Sequence, residues 1–209
     1  MMVPDYIIAT DAGVLLEPGK KEVPGGYAFV ILNCKTMNYI IQGKPLNGKT
    51  INYSEAYAIY DAFRTLRKLT KKKISVLVVS DSKLTVMALS KWSRDTWKTN
   101  NWYHWKKKSG EIVKNQDIYR RIIDYEKDMD VRYVHINSHK DLSDQKMITK
   151  MKHKISNAGV TITNKETQLI MQMNDWADQK ATEVRKQWIS DHQGFNIMIK
   201  RKEGGEDDA

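Results

Sequence analysis

Ile74-Ser75-Val76-Leu77-Val78-Val79-Ser80-Asp81 is the stretch that decides the fold. A short, almost unbroken apolar run rich in branched residues is what a strand covered on both faces requires. It ends abruptly at Ser80-Asp81, and Leu84–Trp92 follows with helical spacing. Upstream, Ala58, Ile59, Ala62, Phe63, Leu66 and Leu69 recur as one helix face after Ser54, a good N-cap. Further upstream come Tyr6–Thr10, closed by Asp11, then Tyr27–Leu32 after Gly25-Gly26, and then Met37–Gln42. These predict an antiparallel meander. Downstream, Ile118–Tyr125 reads as a helix and Val131–Asn137 as a fifth strand. A meander followed by alternating helices and strands predicts an α/β fold with a five-stranded mixed sheet flanked by helices.

The remainder of the chain is helical in pattern. Ser143–Asn157 is basic and stops at Gly159. Thr163 and Glu166 are spaced as a capping box opening a long helix to about Trp188. Phe195–Ile199 reads as a short terminal strand, and residues 200–209 as a flexible charged tail.

Bulk composition narrows the function. The 209 residues are 41% hydrophobic and 29% charged, an ordinary globular balance that argues against a mostly disordered chain. The single cysteine, Cys34, excludes an intrachain disulfide. No apolar run approaches the roughly 18 residues a membrane helix needs, and residues 1–5 do not look like a secretory signal. A reducing, cytoplasmic setting and no membrane partner are therefore expected. With 35 Lys and Arg against 25 Asp and Glu, the net charge is +10, which points to a polyanionic partner. Residues 91–121 concentrate it, with nine cations against three anions, and hold four of the six tryptophans: Trp92, Trp97, Trp102 and Trp105. Tryptophans at such spacing more often pack than bind, and Lys146, Lys150, Lys152 and Lys154 are read equally well as a solvated face or as substrate contacts.

Three acids stand at the ends of elements: Asp11 after the first strand, Glu55 at the start of the first helix, and Asp81 after the buried strand. Ligands of open sheets bind beyond the carboxyl ends of strands. Each acid alone is ordinary, as a turn residue, a favourable first-turn acid or a cap. Together they could converge, and close carboxylates are tolerable when divalent cations sit between them.

In order and context these residues resemble type 1 ribonuclease H. The similar segments are Thr10-Asp11, Pro24-Gly25-Gly26-Tyr27, Asn52 three residues before Glu55, Ser80-Asp81-Ser82, Val113–Tyr119, Asn137-Ser138-His139 and Asn174–Ala181. Seven motifs in the right order span roughly residues 5 to 190. The resemblance implies a ribonuclease H-like domain over 1–199, with a basic protrusion and its following helix at 91–121. It also implies a helical insertion at 141–173 before the last helix, because His139 precedes Asp178 by 39 residues where the family has about ten.

It further implies that Asp11, Glu55, Asp81 and Asp178 bind two Mg²⁺ ions, with Mn²⁺ as the alternative. Asp175 is the competitor for the last position. His139 would assist proton handling or product release. Contacts to an RNA–DNA hybrid would come from Asn52, Lys83, Trp92, Trp97, Trp102, Trp105, Lys106, Lys107, Lys108, Lys114 and Asn115. The expected reaction is hydrolysis of the hybrid's RNA strand, leaving 5′-phosphate and 3′-hydroxyl ends, by a monomer (in a host's cytoplasm if the chain is viral). A DNA nuclease or resolvase of the same superfold, or a non-catalytic duplex binder, are the alternatives. The chain departs from the family pattern at Ile51, in place of a second asparagine, and at Ala12-Gly13, in place of Gly-Ser.

Overall fold

The structure is a computed structural model that describes residues 1–15, 23–97, 99, 101–103, 111–137 and 144–203, the last eleven of these as backbone alone. Five strands, β1 (Tyr6–Val14), β2 (Gly25–Asn33), β3 (Tyr39–Pro45), β4 (Ile74–Ser80) and β5 (Met129–His135), form one sheet in the order β3-β2-β1-β4-β5. β1, β2 and β3 pair antiparallel, whereas β1, β4 and β5 are parallel, so the sheet is mixed as the sequence predicts.

Each face of the sheet has its own core. On one, Ile8, Phe29, Ile31, Val76 and Val78 meet α1 (Ile51–Leu69), through Ala58, Ile59, Ala62, Phe63 and Leu66, and α3 (Gln116–Glu126), through Ile118 and Ile122. On the other, Ile7, Ala9, Val30, Leu32, Leu77 and Val79 meet α4 (Gln145–Asn157) and α5 (Asn164–Glu203). β4 supplies both cores alternately, which is why its sequence lacks a polar side.

Several boundaries differ from those expected. Thr50, not Ser54, caps α1: its hydroxyl accepts from Tyr53 N–H at 3.3 Å, while Ser54 is buried inside the first turn. β3 begins at Tyr39 because residues 34–38 turn, with Met37 at φ 60°. The helix after Asp81 is α2 (Lys83–Met87), which widens into a π-helix over Ala88–Trp97. The capping box forms: Thr163 N–H donates to Glu166 Oε2 at 2.6 Å, and Glu166 N–H donates to Thr163 Oγ1 at 3.1 Å. α5 then runs unbroken to Glu203, so Phe195–Ile199 is helical, not a strand, and residues 200–203 belong to that helix. Extending an established helix needs no new nucleation, so the backbone simply continues it. No helix among the described residues is long and apolar enough to cross a membrane.

α5 lies directly on the sheet at glycines. A Cβ on Gly26 would stand 2.5 Å from the Ala181 carbonyl oxygen and 2.8 Å from Val184 Cγ2. This seat fixes where α5 crosses β1, β2 and β3.

Candidate active site

Parallel pairing aligns Thr10 with Ser80, so Asp11 and Asp81 are the next residues on neighbouring strands that leave the same sheet edge. Neighbouring strands lie about 4.8 Å apart. The β1–β4 ladder ends at that pair, and Asp11 stays paired only with Ala28 of β2. β1 is also the strand at which the order reverses, where open α/β sheets place ligands. Glu55 enters from the second turn of α1. One carboxylate oxygen from each of Asp11, Glu55 and Asp81 lies within 4.8 Å of the others. Asp178 arrives on α5, on the same face as Ile7, Ala9 and, by alternation, Asp11. When protonated, Asp11 donates a hydrogen bond to the Asp178 carboxylate. The structure thus brings Asp11, Glu55 and Asp81 into one cluster and places Asp178 against Asp11.

The electrostatics follow from burial. Asp11 and Glu55 are 6% and 5% exposed. Burial, then the charges of Asp81 and Asp178, push Asp11 up to about 8, although the Ala12 N–H on its Oδ1 at 2.6 Å pulls the other way. Glu55 rises well above the usual carboxylate range through burial and the charges of Asp11 and Asp81. Its Oε2 is buried with no hydrogen-bond partner. An orphaned oxygen inside a ring of carboxylates fits hard divalent cations, which take oxygen ligands and replace the protons the acids otherwise hold.

Beside the acids, Thr50, Asn52, Leu84, Trp92, Trp97, Val113, Lys114, Asn115 and Tyr119 line a cavity of about 350 Å³. It brings together Asn52, Lys114 and Asn115, three of the residues the resemblance names as hybrid contacts. Asn115 stands at φ 60°, at the start of α3. The tryptophans are a correction. Trp97 and Trp102 are buried, with the Trp97 ring 5.8 Å from Trp92, 6.2 Å from Trp102 and 5.5 Å from Tyr119. Arg120 caps the Trp102 ring at 5.0 Å. These two rings are packed and brace the segment after α2, with Trp97 also in the cavity wall; Trp92 is half-buried. Lys83 is exposed at the first turn of α2. Trp105, Lys106, Lys107, Lys108 and His139 lie outside the described residues.

The sequence pattern passes over one residue here. His135, aligned with Ser80 at the end of β5, donates from Nε2 to the Asp81 carbonyl at 3.1 Å. It lies within β5, two residues short of the Asn137-Ser138-His139 segment, with no local motif to mark it. Only the parallel register with β4 could have marked it.

Comparison with known proteins agrees with this geometry. A sequence model described as RNase H matches residues 4–148. The chain belongs to the RNase H family. Ribonuclease H of Neorickettsia sennetsu is 30% identical over 135 residues, 65% of this chain and 82% of that one. Ribonuclease H of Clostridium botulinum is 28% identical over 65% of this chain and 84% of its own length. Among solved structures, the PFV RNase H domain superposes with a TM-score of 0.60 at 18% identity, covering 88% of this chain and 96% of that one. LC9-RNase H1, a type 1 RNase H with the type 2 active-site motif, gives 0.54 at 18% identity, over 76% of this chain and 74% of its own. A foamy viral protease-reverse transcriptase in complex with an RNA/DNA hybrid gives 0.56 at 18% identity, over 87% of this chain but 20% of that longer one. The family match and these relatives make the chain a ribonuclease H-like enzyme. The family match ends inside α4, so Asp178 lies beyond it.

Proposed function

We propose that this RNase H hydrolyses the RNA strand of RNA–DNA hybrids with two divalent ions, Mg²⁺ or Mn²⁺, held by Asp11, Glu55, Asp81 and Asp178. The products are 5′-phosphate and 3′-hydroxyl ends. The observation that carries this reading is the meeting of three carboxylates from β1, α1 and the end of β4 within 4.8 Å, with Asp178 hydrogen-bonded to Asp11. When bound, such ions supply an activated water and a stabilised leaving oxygen for in-line displacement. The chain's own contribution is to hold four acids at one sheet edge, exclude water from Asp11 and Glu55, and orient Asp81 through His135.

The cavity lined by Thr50, Asn52, Lys114 and Asn115 offers hydroxyl, amide and ammonium donors for phosphates of the strand that is not cut. His139 takes part in proton handling from the segment that follows β5. A related fold solved with an RNA/DNA hybrid supports the substrate class. Action as a monomer in a reducing cytoplasm belongs to the same reading.

The test is a gel assay with labelled RNA–DNA, RNA–RNA and DNA–DNA duplexes in Mg²⁺, Mn²⁺ or chelator, with Asp81→Asn alongside. Cleavage confined to the hybrid's RNA strand, lost in chelator and in Asp81→Asn while hybrid binding persists, is expected. Cleavage of DNA would replace this reading with a resolvase-like one. Binding without cleavage in either metal would leave a duplex binder.

A further inference from the structure

Helix α4 has two unlike sides. Ile148, Met151 and Ile155 are buried against the core that holds Val134 and Ile136. Lys146, Lys150 and Lys154 recur every four residues, all exposed, and so form one stripe rising about 6 Å per step. The stripe is not isolated from the acid cluster. Lys154 Nζ lies 3.5 Å from His135 Nδ1, and the other ring nitrogen of His135 donates to the Asp81 carbonyl. One tautomer, with its proton on Nε2, satisfies both contacts. Because β5 runs parallel to β4 with His135 level with Ser80, Lys154 stands at the carboxyl edge of the sheet beside Asp81.

A further cation comes from a different element. Lys83 opens α2, and its charge acts on both His135 and Lys154. The Lys154 ammonium is pulled below its ordinary range by burial, then by Lys150 and Lys83. Among the described residues none of these three lysines makes an ion pair with a carboxylate. A solvated helix face spreads its charges and meets water on every side. Here one ammonium touches the imidazole next to the candidate reaction centre and the charge of a second, from another element, acts on both. That convergence is unfavourable until a polyanion neutralises it, as crowded carboxylates are until cations do.

We propose that Lys83, Lys150 and Lys154 form a phosphate-binding ridge that grips the RNA strand of the hybrid next to the phosphate being cut, with α4 as an added substrate arm. The ridge contacts phosphates and reads no sequence. His135 is its positioning residue, tying Lys154 on one side to the Asp81 backbone on the other. The identity of the strand rests on the reading of the chain as a hybrid nuclease; the ridge itself rests on the placement of the lysines.

The test measures hybrid binding in chelator across a salt series, where cleavage plays no part. Lys150→Ala/Lys154→Ala is compared with Lys152→Ala/Lys165→Ala, which removes the same charge: Lys152 lies off the stripe, bonded to Asn164, and Lys165 is on α5. Each duplex phosphate neutralised contributes about 0.9 to the slope of log affinity against log salt. The ridge pair is expected to reduce the slope by about 1.8 and to weaken binding about tenfold or more at 0.1 M salt. The control pair is expected to change affinity less than about twofold. Equal losses in the two pairs would mean that bulk charge, not a ridge, was removed, and an unchanged slope in the ridge pair would likewise overturn the proposal. Where the double variant does not fold, Lys150→Gln alone, at an exposed side chain, decides the same question through a smaller slope change. A wild type that binds but does not cleave the hybrid, with the ridge effect present, would sink the nuclease reading and keep the ridge. A wild type that cleaves, with no ridge effect, would do the reverse.

Discussion

Asp11→Asn is expected to stabilise the protein when divalent metal is withheld, although it removes a carboxylate from the candidate active site. Asp11 is moved from its ordinary 3.8 to about 8, first by burial and then by Asp81 and Asp178. Because the folded-state value lies above the unfolded one, the protonated acid favours the fold. Its contribution is complete below pH 4 and is lost progressively as the pH climbs through 8. At about 1.4 kcal/mol per pH unit, holding the acid protonated at pH 7, where the unfolded acid would ionise, costs at most about 4 kcal/mol. Asparagine has no proton to lose and still offers an oxygen to the Ala12 N–H. Its neutrality also relieves Glu55, which Asp11 pushes upward. In EDTA at pH 7 the variant should melt higher by up to roughly 8–16 °C, since 1 kcal/mol is worth about 2–4 °C in a chain of this size. The advantage should vanish near pH 4, and should shrink in millimolar Mg²⁺ because metal binds the folded wild type more tightly. Calorimetry across pH 4–9, with and without Mg²⁺, measures this directly. A variant no more stable than wild type at pH 8 in chelator, or an advantage independent of pH, would refute the argument.

Gly26→Ala pushes a methyl into the Ala181 carbonyl and Val184, so α5 has to shift. Urea melts should show a loss of about 1–3 kcal/mol, together with reduced cleavage because Asp178 moves with the helix. Full stability and full activity would show that the seat is slack. Asp61 is wholly buried, accepting from Tyr27 OH at 2.8 Å and from Lys44 Nζ at 3.0 Å, with Arg64 also paired. Asp61→Ala, which strands the tyrosine hydroxyl, should cost about 3–5 kcal/mol, read as a fall in the denaturation midpoint. Trp97→Ala should cost about 3–5 kcal/mol as a core truncation; a normal melt with weakened hybrid binding would instead restore this ring to the substrate.

The fold was legible because β4 and the helix faces advertise burial: Val76–Val79 has no polar side, and α1 repeats its apolar residues at one period. Asp11, Glu55 and Asp81 were legible because each stands near the end of an apolar strand or the start of a helix pattern, whereas Asp178, inside α5, came only with the resemblance. What escaped depends on contacts between distant segments. Thr50 rather than Ser54 caps α1 because both hydroxyls are plausible locally and tertiary packing buries the second. The Trp97 and Trp102 rings look like a binding strip until a later helix covers them, Tyr119 against Trp97 and Arg120 over Trp102. His135 gains its position from a parallel register that no single strand encodes. The stretch after Trp188 carries too little amphipathic pattern to separate a strand from a helix that simply continues.

The seat of α5 on the glycines of the sheet also bears on the order in which the molecule is built. Asp11, Glu55 and Asp81 lie within the first 81 residues, whereas the helix bearing Asp178 starts at Asn164. Until that helix emerges during synthesis, the Ile7, Ala9, Val30 and Leu32 side of the sheet has no α5 to cover it. The nascent chain therefore holds three acids and an open apolar face together, and one docking event removes both shortcomings. Sealing the core and bringing Asp178 to Asp11 are a single step, so a chain interrupted before α5 is at once sticky and without the carboxylate that meets Asp11.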